Sequence, residues 1–181
     1  MNSAGYEYLL AYKVTVPIYD YTIEFCKRWI DYKSRTKDQM EQAARSGMQN
    51  ISEGNKQQSL SGYIKLSGVS RGSLEELLKD YLSFARQNKI PVWGKDEVVR
   101  NVREVRLVWE ILKRYPTLPD FPNFPDLPYS LTAAVNLMIT LVNQAIYLQK
   151  KLKISLERKF IEKGGFRENL FRRRLERRKL P

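Results

Sequence analysis

Glu75, Glu76 and Asp80 stand at helical spacing, and clustered carboxylates on a helix are what a di-iron bundle site is built from. Such sites also need a Glu-x-x-His motif from facing helices, and the chain has no histidine. That absence removes histidine acid–base catalysis, the Ser–His and Cys–His nucleophile pairs and His-ligated zinc. Cys26 is the only cysteine, which excludes a four-thiolate metal site and an intrachain disulfide and fits a reducing cytoplasm. The three carboxylates therefore read as a solvated acidic face. No Gly-rich phosphate loop and no nucleophile–base pair is present, so no catalytic residue, cofactor or metal is expected. A nuclease using carboxylates alone is the one enzymatic version the residues leave open.

The chemistry that the residues do favour is phosphate recognition. Thirty-two Lys and Arg against twenty Asp and Glu give a net charge of +12, an excess that suits a polyanionic partner. From Arg158 to the last residue there are ten Lys or Arg and three Glu. Arg167, Arg172, Arg173, Arg174, Arg177, Arg178 and Lys179 form the leading candidate for nucleic-acid contact, salt-dependent and poor in sequence information. Phe166, Leu170 and Phe171 among them also fit a membrane-surface helix or a docking segment. Arg100, Arg103 and Arg106, at steps of three, form a second candidate stripe or a plain solvated face. Arg45, Asn50 and Glu53, closed by Gly54, are a polar set read as structural, meeting a neighbouring helix or subunit. If Glu53 is buried, Arg45 or Arg71 would have to pair with it.

The elements that would position these residues are helices. Ile18, Tyr21, Phe25 and Trp29 repeat at threes and fours, with Pro17 tolerable only in a first turn. Met40, Ala44, Gly47 and Ile51 mark a second helix with a small-residue face, Thr36 as its N-cap and Gly54 as a positive-φ residue beyond its end. Tyr63, Leu66, Ser70, Leu74, Leu77 and Tyr81 mark a third, capped by Ser59 or Ser61, in which Gly68 and Gly72 suggest tight packing or a bend. Val98, Val102, Val105, Trp109 and Leu112 form a heptad seam. Pro116, Pro119, Pro122, Pro125 and Pro128 then recur at every third residue. In polyproline II geometry those thirteen residues reach roughly 40 Å, enough to run back along the preceding helix, with Leu118, Phe121, Phe124 and Leu127 packing. Ser130 caps a last helix whose apolar surface is nearly all-round to Leu148, an excess that a second subunit would cover. Asn136, Asn143 and Gln144 interrupt that run, so it reads as buried rather than membrane-spanning. The N-terminus has no basic region followed by an apolar run, which reads against a signal peptide. The first stretch, to about residue 10, reads as loose.

Asp38 to Gly54, with Gln42 to Arg45 and Asn50-Ile-Ser-Glu-Gly54, resembles the second helix of the bacterial four-helix-bundle family that includes proteins encoded in 23S rRNA intervening sequences and the accessory variability determinant of diversity-generating retroelements. Tyr63-Ile-Lys-Leu followed by Ser70-Arg-Gly-Ser-Leu-Glu-Glu-Leu77 is similar to its third helix. The Gly164-Gly-Phe-Arg-Glu segment resembles the four helix bundle suffix domain subgroup. The resemblance implies a protomer that forms a ring, often a homopentamer, and in one branch engages nucleic acid and a reverse transcriptase.

The expected architecture is all-α. An antiparallel four-helix bundle spans residues 1–163, with core helices at 14–32, 37–54, 60–88 and 130–160. A helix at 95–115 and a proline-rich return strand at 116–128 are inserted between the third and fourth, and a basic tail follows at 164–181. The expected function is a non-enzymatic, cytoplasmic, self-associating module that binds RNA or DNA, with a reverse transcriptase as a possible partner and no membrane span. The alternative is an adaptor that holds a protein in a groove beside the inserted helix.

Overall fold

A computed structural model describes residues 5–57 and 59–178, and among them every regular element is helical. Four helices make the bundle: α2 (Thr15–Trp29), continuing a short α1 (Leu10–Lys13), then α3 (Arg35–Asn55), α4 (Leu60–Gln87) and α7 (Leu131–Lys163). Between α4 and α7 lie α5 (Lys95–Asn101) and α6 (Arg103–Arg114), and α8 (Phe166–Arg178) closes the described chain. Helices α2, α3, α4 and α7 pack in cyclic order, each against the next. Their antiparallel sense is set by cross-links: Gln149 Nε2 donates to Ala11 O, Ser70 Oγ to Gly47 O, and Ser46 and Ser73 share a hydroxyl contact of 2.8 Å. Phe25 sits at the centre, its ring within 5.0–5.2 Å of Trp29, Tyr81 and Phe84.

The helix boundaries depart from the sequence reading where capping chemistry decides. Ser34, not Thr36, caps α3, because its hydroxyl accepts from Thr36 N. Gly54 lies inside α3 and has no positive φ. It is glycine because a Cβ there would come within 2.5 Å of the Tyr63 ring on α4. Gly47 is pressed in the same way by Leu74. Gly68 and Gly72, expected to mark tight packing or a bend, are not tightly packed: both face open space. Residues 5–8 form a 3-10 turn rather than a loose end, with Tyr6 packed edge-on against Tyr12.

The insertion is one closed excursion, pinned by side chains of the bundle. The expected single helix at 95–115 breaks at Val102, whose backbone (φ −127°, ψ 78°) is not helical. Even so, Val98, Val102, Val108 and Leu112 are buried, and Val105 and Trp109 pack against the same core. The seam expected to be open for an adaptor is therefore mostly packed within the chain, with Val105 and Trp109 half-buried. The returning segment is not straight: it bends at 116–117 and 120–121 and extends only over 122–128. Leu127 is buried and Leu118 and Phe124 pack, but the second bend throws Phe121 out into solvent. Extended proline-rich backbone offers few hydrogen bonds of its own; here Phe124 N donates to Pro122 O, and further donors come from α1 and α2. Lys13 Nζ reaches Leu112 O and Tyr115 O, Tyr21 Oη reaches Pro125 O, and Arg28 Nη1 reaches Leu127 O. On α7, the Asn136 amide accepts from Trp93 N and donates to Pro91 O, while Gln144 accepts from the Trp109 indole.

That arrangement answers the apolar excess of α7. Residues 134–139, 141 and 142 are buried within one chain, because the insertion covers the face that a second subunit was expected to cover. An 18-residue window with mean hydropathy 1.5 passes the length and composition test for a membrane span, and half of it is buried inside this bundle.

Candidate nucleic-acid interface

The basic arm is built by a reversal at the end of α7. Gly164 takes φ +73°, a backbone that favours glycine. A Cβ on it would also come within 2.8 Å of Glu168 Oε2. That carboxylate accepts from Gly165 N at 2.8 Å and so satisfies an amide at the start of α8. Beyond the turn, Arg172, Arg173, Arg174, Arg177 and Arg178 are all exposed. None of the ion pairs among the described residues involves α8. Successive helical residues are about 100° apart, so these five guanidinium groups spread over about two thirds of the helix circumference, and Phe171 and Leu175 fall in the remaining sector. A membrane-surface helix gathers its cations on one face, and α8 does not. The side chain of Arg167, and Lys179 as a whole, lie outside the described residues.

The arm is larger than the tail expected from the sequence. Lys150, Lys151, Arg158, Lys159 and Lys163 are exposed on the second half of α7, where the apolar pattern stops. From Lys150 to Arg178 there are twelve Lys or Arg and four Glu. The signal was present in the sequence as a change of helix face beyond Leu148. Such a surface can hold phosphate oxygens by charge-assisted hydrogen bonds.

The other candidates are not drawn to this place. Arg100, Arg103 and Arg106 are exposed, but the break at Val102 interrupts their stripe. Arg106 is tied to Glu110 at 3.2 Å and Arg103 to Glu104 at 3.4 Å. Trp109 fixes α6 beside Gln144, about 30 Å along α7 from its C-terminal end at the helical rise. Arg45 and Glu53 are both exposed and form no ion pair among the described residues. The expected partner Arg71 lies with Glu75 instead. Only Asn50 is half-buried, and its amide donates to Ser46 of its own helix. Glu76 and Asp80 face a shallow polar groove between α3 and α4 that also holds Arg35 and Asp38. Burial, and then the Glu76 charge, raise the Asp80 carboxyl above its usual range. No group of three His, Cys, Asp or Glu among the described residues is placed to hold a metal ion.

The residues that sequence reasoning missed are the donors of α1 and α2. Burial lowers the Lys13 ammonium below its usual value. Burial, and then the charges of Glu104 and Asp126, raise the Tyr21 phenol, so it keeps the proton it donates to Pro125. A buried lysine on an apolar face is the signal that could have marked the first of them.

The fold and this surface define a small all-helical bundle protein with a cationic arm. Residues 7–108, from before α1 into α6, match the 23S rRNA-intervening sequence protein family, and the chain belongs to that family. No curated protein and no solved structure matched the chain.

Proposed function

We propose that this protein is a non-enzymatic module that binds nucleic acid through the arm formed by the end of α7 and by α8, and that it self-associates so that several arms act together. One observation carries the reading: five exposed arginines on α8, with no carboxylate paired to them among the described residues, spread over about two thirds of the helix circumference. Phosphates approaching over most of the helix surface meet a cation, which favours backbone contact over recognition of one partner face. The family takes its name from 23S rRNA intervening sequences, which favours RNA within a ribonucleoprotein. Repetition of the arm in a ring would add avidity. The seam that the adaptor would use is buried at Val98, Val102 and Leu112 and half-buried at Val105 and Trp109, which leaves it less surface for a protein partner.

Fluorescence anisotropy with generic RNA and duplex DNA across a salt series tests this, comparing the full chain with one ending at Gly164. If all seven Lys and Arg that follow Gly164 neutralise phosphates, truncation flattens the log–log salt slope by up to about 6 on duplex DNA and about 5 on a single strand. No binding by the full chain at low salt overturns the reading. A homogeneous monomer at micromolar concentration overturns the self-association.

A further inference from the structure

We infer that the opposite end of the bundle is a stacking platform for unpaired nucleobases, an inference that rests on the nucleic-acid reading but uses different residues. Between Lys27 and Lys37 there are five Lys or Arg and one Asp. That stretch and the arm from Lys150 to Arg178 together hold the whole formal excess of +12, and the rest of the chain is net neutral. The cationic stretch spans the end of α2 and the turn into α3, beside the start of α7. It lies about 30 Å along α7 from Lys150, where the arm begins, and about 50 Å from the C-terminal end of that 33-residue helix.

Aromatic rings interleave this charge and are left in water. Tyr129 is 87% exposed and Tyr32 is 78% exposed. Tyr129 is held in place: the Arg28 guanidinium lies 5.2 Å from its ring centroid and 5.6 Å from that of Trp29. Arg28 is itself fixed by Glu24 Oε1 at 2.7 Å and by Leu127 O at 3.0 Å. The Tyr32 ring carries the Lys33 ammonium at 5.4 Å. Each phenol thus has a cation set against it and an exposed surface, while Lys27, Lys33 and Arg35 make no ion pair among the described residues. Aromatic faces set among cations bind single strands, because a base with a free π-face can stack while its phosphate is neutralised. Bases inside a duplex have no free face to offer. The occupant is therefore an unpaired segment of RNA or single-stranded DNA.

The test uses the full chain, a uridine oligonucleotide of about 8 nucleotides, the same oligonucleotide carrying one 2-aminopurine, and a duplex of equal length. Wild type is compared with Tyr129→Ala, Tyr32→Ala, the double variant and Tyr129→Phe, with thermal melts confirming that each folds. Each alanine is expected to weaken single-strand binding about fivefold or more and to reduce the 2-aminopurine quenching. Duplex affinity should not change, and Tyr129→Phe should retain binding. Unchanged single-strand affinity in the double variant overturns the platform while leaving the arm standing. Failure of wild type to bind either nucleic acid overturns both.

Discussion

Lys13 offers the sharpest test of how the insertion is held. In a regular helix the Leu112 carbonyl would accept from the amide four residues on, but that residue is Pro116, which has no N–H. Lys13 Nζ takes the place of that donor at 2.6 Å and also reaches Tyr115 O at 2.7 Å, and the side chain is only 4% exposed. Lys13→Met keeps the apolar stem and removes the ammonium. The buried Leu112 carbonyl then loses the donor that replaces the missing amide, at about 1–3 kcal/mol, with a smaller loss at Tyr115. Relief of the ammonium's desolvation offsets part of this, leaving about 2 kcal/mol net. For a chain of this size that lowers Tm by about 4–8 °C.

The same lysine has a pH signature. Burial lowers its pKa from the ordinary 10.5. Between the lowered value and 10.5 the unfolded chain carries a proton that the folded chain does not. Stability contributed by this group therefore rises with pH across that window. Lys13→Met lacks the rise, so its deficit relative to wild type widens toward pH 10.5. Pro116→Ala restores an amide at the critical position, and in that background the Lys13→Met penalty should shrink by at least about 1 kcal/mol. Calorimetric melts of the four chains decide the matter. If Lys13→Met melts with wild type and Pro116→Ala changes nothing, Lys13 is not the missing donor.

Gly54→Ala places a Cβ 2.5 Å from the Tyr63 ring and should cost about 1–3 kcal/mol, whereas Gly68→Ala meets open space and should stabilise α4 by about 0.5–1 kcal/mol. Denaturant midpoints of the two variants should move in opposite directions. Cys26 is fully buried, and burial pushes its thiol up to about 12, so alkylation at pH 8 should track global opening and accelerate in step with added urea. Because the folded value exceeds the ordinary 9.0, this thiol should favour unfolding as pH rises from 9 toward 12, a trend that Cys26→Ala removes from alkaline melts. Asn136→Leu strips the partners from Trp93 N and Pro91 O. It should cost about 2–4 kcal/mol and raise protease cleavage between residues 89 and 94.

Hydrophobic periodicity located the bundle because burial in a helix repeats at threes and fours whatever the partner. It placed Ile18, Phe25, Met40, Leu74 and Leu77 in the core where they are found. It could not say what covers α7. An all-round apolar helix looks the same whether a second subunit or the same chain lies on it, and the deciding residues were polar. Asn136 and Gln144 read as interruptions of an apolar run, yet they receive Trp93 N and the Trp109 indole. Glycine was ambiguous in the same way. Gly54 and Gly68 occupy similar helical contexts, and only the neighbour decides that one is pressed by Tyr63 and the other by nothing. The cationic tail was legible because charge is a property of composition. The Arg28 platform was not, because it joins residues about 100 positions apart in the chain.

The placement of charge also bears on how copies could associate. A surface carrying +12 spread evenly would oppose any packing of bundles side by side. Here the excess sits at residues 27–37 and 150–178, toward the two ends of the long bundle axis, and the remaining surface is neutral in sum. Bundles aligned along their flanks would then bring like charge together at the ends, where a polyanion can neutralise it. Self-association and nucleic-acid binding would on this argument be linked: each added copy raises the local cation density that phosphates meet, and each bound phosphate relieves the repulsion between copies. By reciprocity the two affinities strengthen each other by the same factor. The proposed oligomer should therefore be more resistant to dilution in the presence of RNA than without it, and the gain from RNA should be smaller in the chain ending at Gly164.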